Sequence, residues 1–394
     1  MIAGRPLVAA VLGVLVAACS GPILANPPLV PVAPPTAMPG PTRAPDPQPI
    51  VLPRDDGPHD RLTEWWYYTG HLRDDAGGRW GFEFVVFRAE RGGFPVAWAS
   101  HFAITDEVGG TFAYDERSDV GPQVDRSGLD GRAFALVMRD PDQPVFTEPT
   151  AVPSIETGTV LSTTWVMAGD STSADLIAAM DDGRYGIELR AATAPDLPPV
   201  LHDLDGWIDF GPAGGSYYYS RTRLDVAGVL PAGGVAHQVT GTAWFDHQWG
   251  DFISVGGGGW DWFAVNLDDG TDLTISLVRD TNGEYPLVYG TLVDADGGAT
   301  NLDRTAFEVE ADPARTWTSP MTGATYPAGW TIRIPGQGLV IDIEPTVAGQ
   351  ELDTRATTGV VYWEGSQVVR ANRDGSPIGG QAYVELTGYA PAVP

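Results

Sequence analysis

An acid, an imidazole, an amide and an indole follow one another in one short segment of the chain. They are Asp246, His247, Gln248 and Trp249, and two further aromatic residues precede them. A carboxyl group beside an imidazole can donate and accept protons, and an indole face stabilises a developing positive charge. The segment is therefore a candidate centre for acid–base chemistry. The alternative is a structural hydrogen bond between Asp246 and His247, with Trp249 in the core.

A second group of aromatic residues surrounds Glu64. Residues 64–68 read Glu-Trp-Trp-Tyr-Tyr, an unusual composition for a strand that faces solvent. Glu64 is a candidate acid with a raised pKa, or else it forms an ordinary salt bridge with an arginine. Similar segments occur at residues 216–220, 260–262 and 362–365.

Taken singly, such aromatic residues pack a core, but together they indicate an apolar, aromatic-lined site for an elongated ligand. The predicted ligand-binding residues are Glu64, Trp65, Trp66, Tyr67, Tyr218, Trp260, Trp262, Tyr362 and Trp363.

The sequence contains no motif that requires a cofactor or a metal. It has no Gly-x-Ser-x-Gly segment, no phosphate-binding Gly-Lys loop and no His-Glu-x-x-His segment. Its six histidines are scattered, so a histidine-rich metal site would have to be assembled entirely by the fold. We therefore predict neither a metal nor a cofactor.

The elements that must position these residues are strands. Runs rich in Val, Thr, Tyr, Phe and Trp alternate with turn segments at residues 74–78, 181–183 and 268–270, a spacing typical of antiparallel hairpins. Apolar and polar residues alternate over residues 81–88, and no long segment has the period of a helix. We predict a mostly-β protein.

One aromatic pattern occurs twice, 195 positions apart. Each copy is followed by an acidic turn that contains Gly and by a second strand that ends in Arg88 or Arg279. The matching residues are Trp65, Tyr67, Tyr68 and Leu72 in the first copy and Trp260, Trp262, Phe263 and Leu267 in the second. Unless two aromatic hairpins match by coincidence, the chain contains two copies of one β unit, with a boundary at the proline-rich loop 194–199. We expect two barrels or curved sandwiches with a cleft between them.

The charge of the chain limits its partners. Its 394 residues include 51 acidic and 23 basic side chains, and the basic ones are all Arg, which gives a formal net charge of −28. Such an excess repels phosphate backbones and anionic lipid surfaces. We predict no nucleic-acid partner and no membrane contact through a basic patch.

The single cysteine lies at the end of a segment that is typical of export signals. Residues 7–18 are mostly apolar, and this run is shorter than the ~20 residues of a membrane-spanning helix but suits a secretory signal. Val-Ala-Ala-Cys at residues 16–19 resembles a bacterial lipoprotein signal, in which cleavage leaves a lipidated cysteine. We predict membrane attachment through lipidated Cys19 and a periplasmic or cell-surface location. An ordinary signal peptide with a chance cysteine is the alternative.

A proline-rich segment separates this signal from the strands. Residues 20–53 contain twelve prolines and almost no charge, a composition typical of an extended linker that does not fold. The predicted organisation is a signal peptide over residues 1–18, the lipidated cysteine and linker over 19–53, and two β domains over 54–198 and 199–394.

The aromatic segments, in their order along the chain, resemble the family of AttH-like proteins and carotenoid 1,2-hydratases (CrtC-type). The segments are residues 64–70, 216–220, 242–250, 259–263, 362–365 and 383–389. The resemblance implies two lipocalin-like antiparallel β-barrel or sandwich domains packed side by side. It also implies a cofactor-independent hydratase, which adds water to a C=C bond of an isoprenoid or polyene by acid catalysis.

The same resemblance suggests roles for individual residues. Asp246 and His247 are candidates for the proton donor and the base. Trp249 would stabilise a cation, and Asp261 would orient the water or the acid. The expected partner is an apolar small molecule, whether isoprenoid, carotenoid or lipid.

Two other functions remain open on the sequence. A non-enzymatic carrier would bind a lipid or pigment in a barrel or between the domains, with Asp246 and His247 in structural roles. A secreted hydrolase would need a nucleophile from an unusual setting, such as Ser216 or Ser220.

Overall fold

The computed structural model describes residues 45–139, 164–253 and 257–391, and the regular structure in these ranges is almost entirely strand. Five short 3₁₀ turns complete it, at Arg54–Asp56, Pro122–Val124, Leu129–Gly131, Gly211–Ala213 and Pro335–Gln337. The prediction of a mostly-β protein is confirmed. None of the helical segments in these ranges has the length and apolar character needed to cross a membrane. The predicted signal peptide and Cys19 lie outside the described residues.

The first sheet contains twelve antiparallel strands. They are β1 (Thr63–Arg73), β2 (Arg79–Ala89), β3 (Ala97–Asp106), β4 (Thr111–Val120), β5 (Phe134–Met138), β6 (Trp165–Gly169), β7 (Ser173–Ala179), β8 (Gly186–Thr193), β9 (Val200–Leu201), β10 (Trp207–Asp209), β11 (Gly215–Ala232) and β12 (Val235–Gly250). Along the sheet the order is β4-β3-β2-β1-β12-β11-β8-β7-β6-β5, and β9 and β10 pair with β11.

The second sheet begins at residue 257. Its chain segment contains β13 (Gly257–Leu267), β14 (Asp272–Asp280), β15 (Leu287–Val293), β16 (Ala299–Leu302), β17 (Glu308–Ala311), β18 (Thr316–Thr318), β19 (Thr325–Pro327), β20 (Trp330–Ile334), β21 (Leu339–Pro345), β22 (Glu351–Thr354), β23 (Val360–Arg373) and β24 (Ser376–Thr387). The order is β16-β15-β14-β13-β24-β23-β21-β20-β17, with β22 on β23, while β18 and β19 form a separate pair.

Each sheet curves around its own apolar core, so the protein consists of two antiparallel β domains packed side by side. Side chains, rather than a strand ladder, join the two edges of the first sheet. Arg139, just after β5, pairs with Asp119 of β4 at 2.7 Å. The guanidinium of Arg117 on β4 lies 4.3 Å from the ring centroid of Trp165 on β6. These contacts make the first domain a nearly closed barrel.

The repeated aromatic pattern has a structural counterpart. β1 pairs with β2 and with the last strand of its sheet, β12, and β13 pairs in the same way with β14 and β24. Arg88 lies opposite Glu64, and Arg279 lies opposite Gly259, so the two arginines occupy equivalent positions in the two sheets.

The chain leaves the first sheet after Gly250 and enters the second sheet at Gly257. The boundary between the domains was expected at residue 198, and it lies about 50 residues later. The proline-rich loop connects β8 to β9 within the first sheet. Strands β11 and β12 follow that loop. They belong to the first sheet, because β12 pairs with the whole length of β1 and β11 pairs with β12. The first domain therefore needs residues up to 250 to complete its sheet.

The last part of the predicted linker packs against the first domain. Asp46 forms a salt bridge with Arg61 at 2.6 Å, and the backbone N–H of Gln48 donates to the hydroxyl of Tyr217 at 2.7 Å. Ile50 packs against the core of the first domain. The residues between the prolines thus make specific polar and apolar contacts with the first domain. The expectation of an unfolded segment is therefore wrong for residues 45–53.

Candidate functional site

A cavity of about 1140 Å³ lies between the two domains. Both sheets contribute to its wall, and its volume suits an elongated small molecule. Six of the predicted ligand-binding residues line it, namely Trp65, Tyr67, Tyr218, Trp260, Trp262 and Tyr362.

The alternation of side chains along the strands decides which residues reach this cavity. In β1, Trp65 and Tyr67 face the second domain, whereas Trp66 lies in the core of the first. In β13, Trp262 packs in the interface between the domains, whereas Phe263 lies in the core of the second. Because successive side chains of a strand point to opposite faces, one run of aromatic residues builds both a core and a cavity wall.

The same alternation divides the segment 246–249. Asp246 and Gln248 line the cavity. His247 and Trp249 are buried on the opposite face of the strand, where the ring of His247 stacks on Trp66 at 4.6 Å. The structure thus separates Asp246 from the two residues predicted to act beside it.

Three further predicted residues lie away from the cavity wall. Glu64 is fully buried and bonds to His247 behind β1. Trp363 lies in the core of the second domain, where its indole N–H donates to the carbonyl oxygen of Ala348 at 3.0 Å. Trp66 belongs to the core of the first domain. These residues hold the walls in place rather than face a ligand.

Asp261 also sits just behind the cavity wall. Its Oδ1 accepts hydrogen bonds from Arg279 at 2.9 Å and from the hydroxyl of Tyr389 at 3.0 Å, and both of these partners line the cavity. Burial raises the pKa of Asp261 to about 6, against the opposing influence of Arg279. Asp261 therefore orients two cavity-lining side chains and does not itself face the cavity.

Asp246 is held by three hydrogen-bond donors. Its Oδ2 accepts from the hydroxyl of Tyr218 at 2.6 Å, and its Oδ1 accepts from the indole of Trp244 at 2.7 Å and from the hydroxyl of Ser220. Burial raises the pKa of Asp246 to about 6, although all three donors favour the carboxylate. Tyr218 in turn accepts from the indole of Trp262 at 3.2 Å, which connects Asp246 with the second domain.

Two other buried acids line the cavity, Glu83 and Glu385, and both hold their protons more strongly than usual. Burial raises the pKa of Glu83 to about 8, helped by the nearby Glu385, although a hydrogen bond from Tyr362 lowers it. Burial raises the pKa of Glu385 to about 7, against a hydrogen bond from Trp260. Behind them, burial and the other two glutamates raise the pKa of Glu364, which accepts from Tyr67 at 2.8 Å.

The sequence does not predict Glu83, Glu385 or His101 as catalytic or ligand-binding residues. Each occupies an apolar strand, as in the segment Gly81-Phe82-Glu83-Phe84. A single acid within such a run is a signal of a buried carboxyl group. What the pattern could not supply is the partner, because Glu83 and Tyr362 are 279 positions apart and meet only when the domains pack.

Behind the cavity wall, Glu64 bridges two imidazoles. Its Oε1 lies 2.7 Å from Nδ1 of His59 and 3.0 Å from Nε2 of His247, and the ring of His59 stacks on Trp249 at 4.1 Å. Burial alone would raise the pKa of Glu64, but the hydrogen bonds from His247 and His59 lower it. Burial lowers the pKa of His247, which keeps that imidazole neutral. The group therefore consists of a carboxylate with two ring N–H donors.

His59, Glu64 and His247 are also the residues in the described ranges whose spacing could suit a cation. Their nitrogen–oxygen distances of 2.7 and 3.0 Å are hydrogen-bond distances. The guanidinium of Arg88 lies 4.0 Å from the other oxygen of Glu64, where it repels a cation. The geometry favours a structural hydrogen-bond network that fixes β1 to β12.

The serines considered for hydrolysis are not placed for attack on a ligand. Ser216 accepts from the side chain of Gln248 at 2.7 Å, and Ser220 bonds to Asp246 and to His202. Both serines are fully buried, and neither lines the cavity. Their hydroxyls are used to position neighbouring side chains.

Comparison with known proteins identifies the family. A family model for AttH-like proteins matches residues 43–389. The chain belongs to the AttH-like family. A crystal structure assigned as AttH from Nitrosomonas europaea is similar to this AttH-like protein, with 28% sequence identity and a TM-score of 0.69, and the match covers 87% of this chain and 98% of the other. No curated protein sequence matches the chain.

Two more distant structures share the fold of this AttH-like protein. Kievitone hydratase from Nectria haematococca has 15% identity and a TM-score of 0.59, with 86% of this chain and 93% of that chain covered. CghA has 14% identity and a TM-score of 0.51, with 84% and 89% covered. The predicted family and the prediction of two lipocalin-like antiparallel domains packed side by side are thereby confirmed.

We predict that Glu64→Gln destabilises the AttH-like protein by about 2 kcal/mol, because a buried carboxylate loses its charge-assisted hydrogen bonds with two imidazoles. Urea unfolding measures the change in the free energy of unfolding. The matched control is Glu284→Gln, since Glu284 is exposed. Equal stability of the two variants would show that the bridge contributes nothing.

We also predict a pH dependence of stability that comes from Glu83. Its pKa is about 8 in the folded protein and 4.5 ordinarily, so between these values the folded state holds a proton that the unfolded chain has released. The contribution of Glu83 is complete below pH 4.5 and is lost as the pH rises through 8. Urea unfolding across this range should give a smaller decline in stability for Glu83→Gln than for the wild type. Parallel curves would contradict the assignment.

Proposed function

We propose that this protein is a cofactor-independent hydratase that adds water to a C=C bond of an elongated apolar molecule such as an isoprenoid or polyene. The observation that carries the proposal is the pairing of Glu83 and Asp246 in one aromatic-lined cavity, with pKa values of about 8 and about 6. Kievitone hydratase, which has the same fold, is named for a hydration, and this agrees with the proposal.

The two pKa values assign the proton donor and the base. At pH 7 Glu83 holds its proton and Asp246 is mostly ionised, and such a separation is what acid–base catalysis by two carboxyl groups requires. Oε1 of Glu83 is bonded to Tyr362, and Oε2 has no hydrogen-bond partner among the described residues. Glu83 lines the cavity, and within the described part of the chain Oε2 is its oxygen that carries no hydrogen bond yet. Glu83 thus takes the role of proton donor that was predicted for Asp246.

Hydration then proceeds in two steps. Glu83 transfers its proton to the less substituted carbon of the double bond, which leaves a carbocation on the other carbon. The indole faces of Trp65, Trp260 and Trp262 stabilise that cation. A water molecule adds to the cation, and Asp246 accepts the proton that the water releases. Asp246 gives this proton up to solvent once the product has left, and Glu83 regains the proton that it donated, so the catalyst returns to its starting state. The product is an alcohol, and the net consumption is one water molecule.

We predict that Glu83→Gln and Asp246→Asn each reduce turnover about 100-fold or more, because each removes a proton-transfer group. The probe is lycopene, an acyclic carotenoid, presented to the detergent-purified protein, and mass spectrometry detects the hydrated product. For the wild type, kcat/KM should be bell-shaped, with limbs near pH 6 and pH 8. Glu284→Gln serves as the control, and full activity of both cavity variants would overturn the assignment.

A carrier of a lipid or pigment is the second candidate, because the aromatic cavity would bind an apolar molecule without any reaction. A carrier retains bound lycopene unchanged in the wild type and in both variants. A hydratase releases a product that is heavier by one water molecule. Mass spectrometry of the bound and released carotenoid therefore separates the two functions.

We further propose that a lipid on Cys19 holds the protein at a membrane surface, where an apolar substrate is concentrated. Replacement of the single cysteine, Cys19→Ser, should move the protein from the membrane fraction to the soluble fraction and abolish incorporation of labelled palmitate. Retention of Cys19→Ser in the membrane fraction would contradict the covalent anchor.

A further inference from the structure

A continuous chain of hydrogen-bonded groups leads away from the cavity. The hydroxyl of Tyr362 lies 2.8 Å from Oε1 of Glu83 and 2.7 Å from Nδ1 of His101. Nε2 of the same imidazole lies 3.1 Å from the hydroxyl of Thr357, which lies 2.5 Å from Oε2 of Glu116. Glu116 is half-buried on β4, so the chain connects a fully buried acid with the accessible side of the domain interface.

The three groups between the two acids can each donate one hydrogen bond and accept another. These groups are a phenol, a neutral imidazole and a hydroxyl. The chain therefore has two self-consistent arrangements. In one, Glu83 is protonated and every group donates toward Glu116. In the other, Glu116 is protonated and every group donates toward Glu83. One proton hop at each link converts the second arrangement into the first.

We propose that this chain is a proton relay, which returns a proton from Glu116 to Glu83 after each catalytic cycle. The inference rests on the proposed hydration, because only a proton donor that is consumed has to be refilled. Glu83 gives its proton to the substrate carbon and takes one from Tyr362. Tyr362 takes one from Nδ1 of His101, whose Nε2 takes one from Thr357. Thr357 is refilled from Glu116, which takes a proton from solvent.

The surroundings of the relay favour this direction of transfer. Burial lowers the pKa of His101 to about 3, so the imidazole keeps the one N–H and the one lone pair that the relay needs. Burial also raises the pKa of Glu116, although the hydrogen bond from Thr357 lowers it. A second contact of the Thr357 hydroxyl, to the carbonyl oxygen of Thr354, is longer at 3.3 Å.

The charged groups that face the two ends of the relay are acidic. Glu83 faces Glu385 and Glu364, and Glu116 faces Asp353 and Asp115. These neighbours disfavour a carboxylate at either end, so a proton that enters at Glu116 is retained and passed on. A bound substrate fills the cavity and covers the free oxygen of Glu83. The route through Tyr362 reaches the other oxygen and stays open, and a half-turn of the carboxyl group about its Cγ–Cδ bond then brings the delivered proton to the side of the substrate.

Thr357→Val tests the relay, because valine has the shape of threonine but cannot transfer a proton. The detergent-purified protein is mixed rapidly with lycopene at pH 7, and hydrated product is measured over time. The first turnover uses the proton already on Glu83, so it should keep its wild-type rate. Later turnovers should be at least tenfold slower, which gives a burst of one product per protein with KM within twofold of the wild type.

The matched control is Thr105→Val. The Thr105 hydroxyl also makes a buried bond between the domains, to Gln350 at 2.5 Å, but lies outside the relay. It should show no burst, and Thr357→Ser, which restores a hydroxyl, should recover steady turnover. If Thr357→Val does not fold, Glu116→Gln on the accessible side replaces it and should slow steady turnover at least threefold while leaving the first turnover unchanged.

The outcomes separate the relay from the hydration itself. Steady turnover of Thr357→Val equal to that of Thr105→Val would overturn the relay and leave the hydratase intact. A first turnover that slows as much as later ones would also overturn it, because the residue would then act on chemistry rather than on refilling. Absence of product from the wild type would overturn the proposed hydration, and with it the donor that the relay serves.

Discussion

The two-residue period of a β-strand is the constraint on which this molecule depends. β1, β12 and β13 each place one face in the core of a domain and the other face in the shared interface. Neither face can be altered independently, because the backbone fixes their relative positions. Trp66 and His247 stack behind the wall while Tyr67 and Asp246 stand in front of it. The packing of the first core therefore sets the position of the cavity acids.

A second consequence of this arrangement is that the acids of the cavity are buried without cations to neutralise them. Arg279 and Arg355 reach the cavity, but each is already paired with an aspartate, Asp261 and Asp353 respectively. The buried acids of the cavity accept hydrogen bonds from tyrosine, tryptophan and serine side chains, which supply no charge. Because a carboxylate in such surroundings is costly, Glu83 keeps a proton at neutral pH. The proposed role of Glu83 as proton donor follows from this absence of a neighbouring cation.

Sequence patterns could predict much of the fold and only part of the site. The aromatic repeat and the strand alternation predict two related β units. Because successive side chains of a strand point to opposite faces, alternation is also enough to place Asp246 and His247 on opposite sides of β12. The neighbours that a side chain meets across the interface cannot be predicted from these patterns. Glu83 meets Tyr362, and Tyr218 meets Trp262, only because two separately formed sheets pack together. No local pattern encodes such contacts, and this is why the sequence does not predict Glu83 as a site residue. His247 and Trp249 are predicted there from the family resemblance, against the strand alternation.

The position of β12 has a consequence for how the chain acquires its structure. β1 is the first strand to emerge, yet its neighbour β12 lies about 180 residues later, with Trp66 opposite His247. Closing so long a loop is slow, because its entropy must be lost before the ladder forms. Until then the aromatic edge of β1 is open to other strands. A chain of this design therefore passes through a period in which protection from aggregation must come from outside the chain, and its first sheet is completed only once the residues up to 250 have been synthesised.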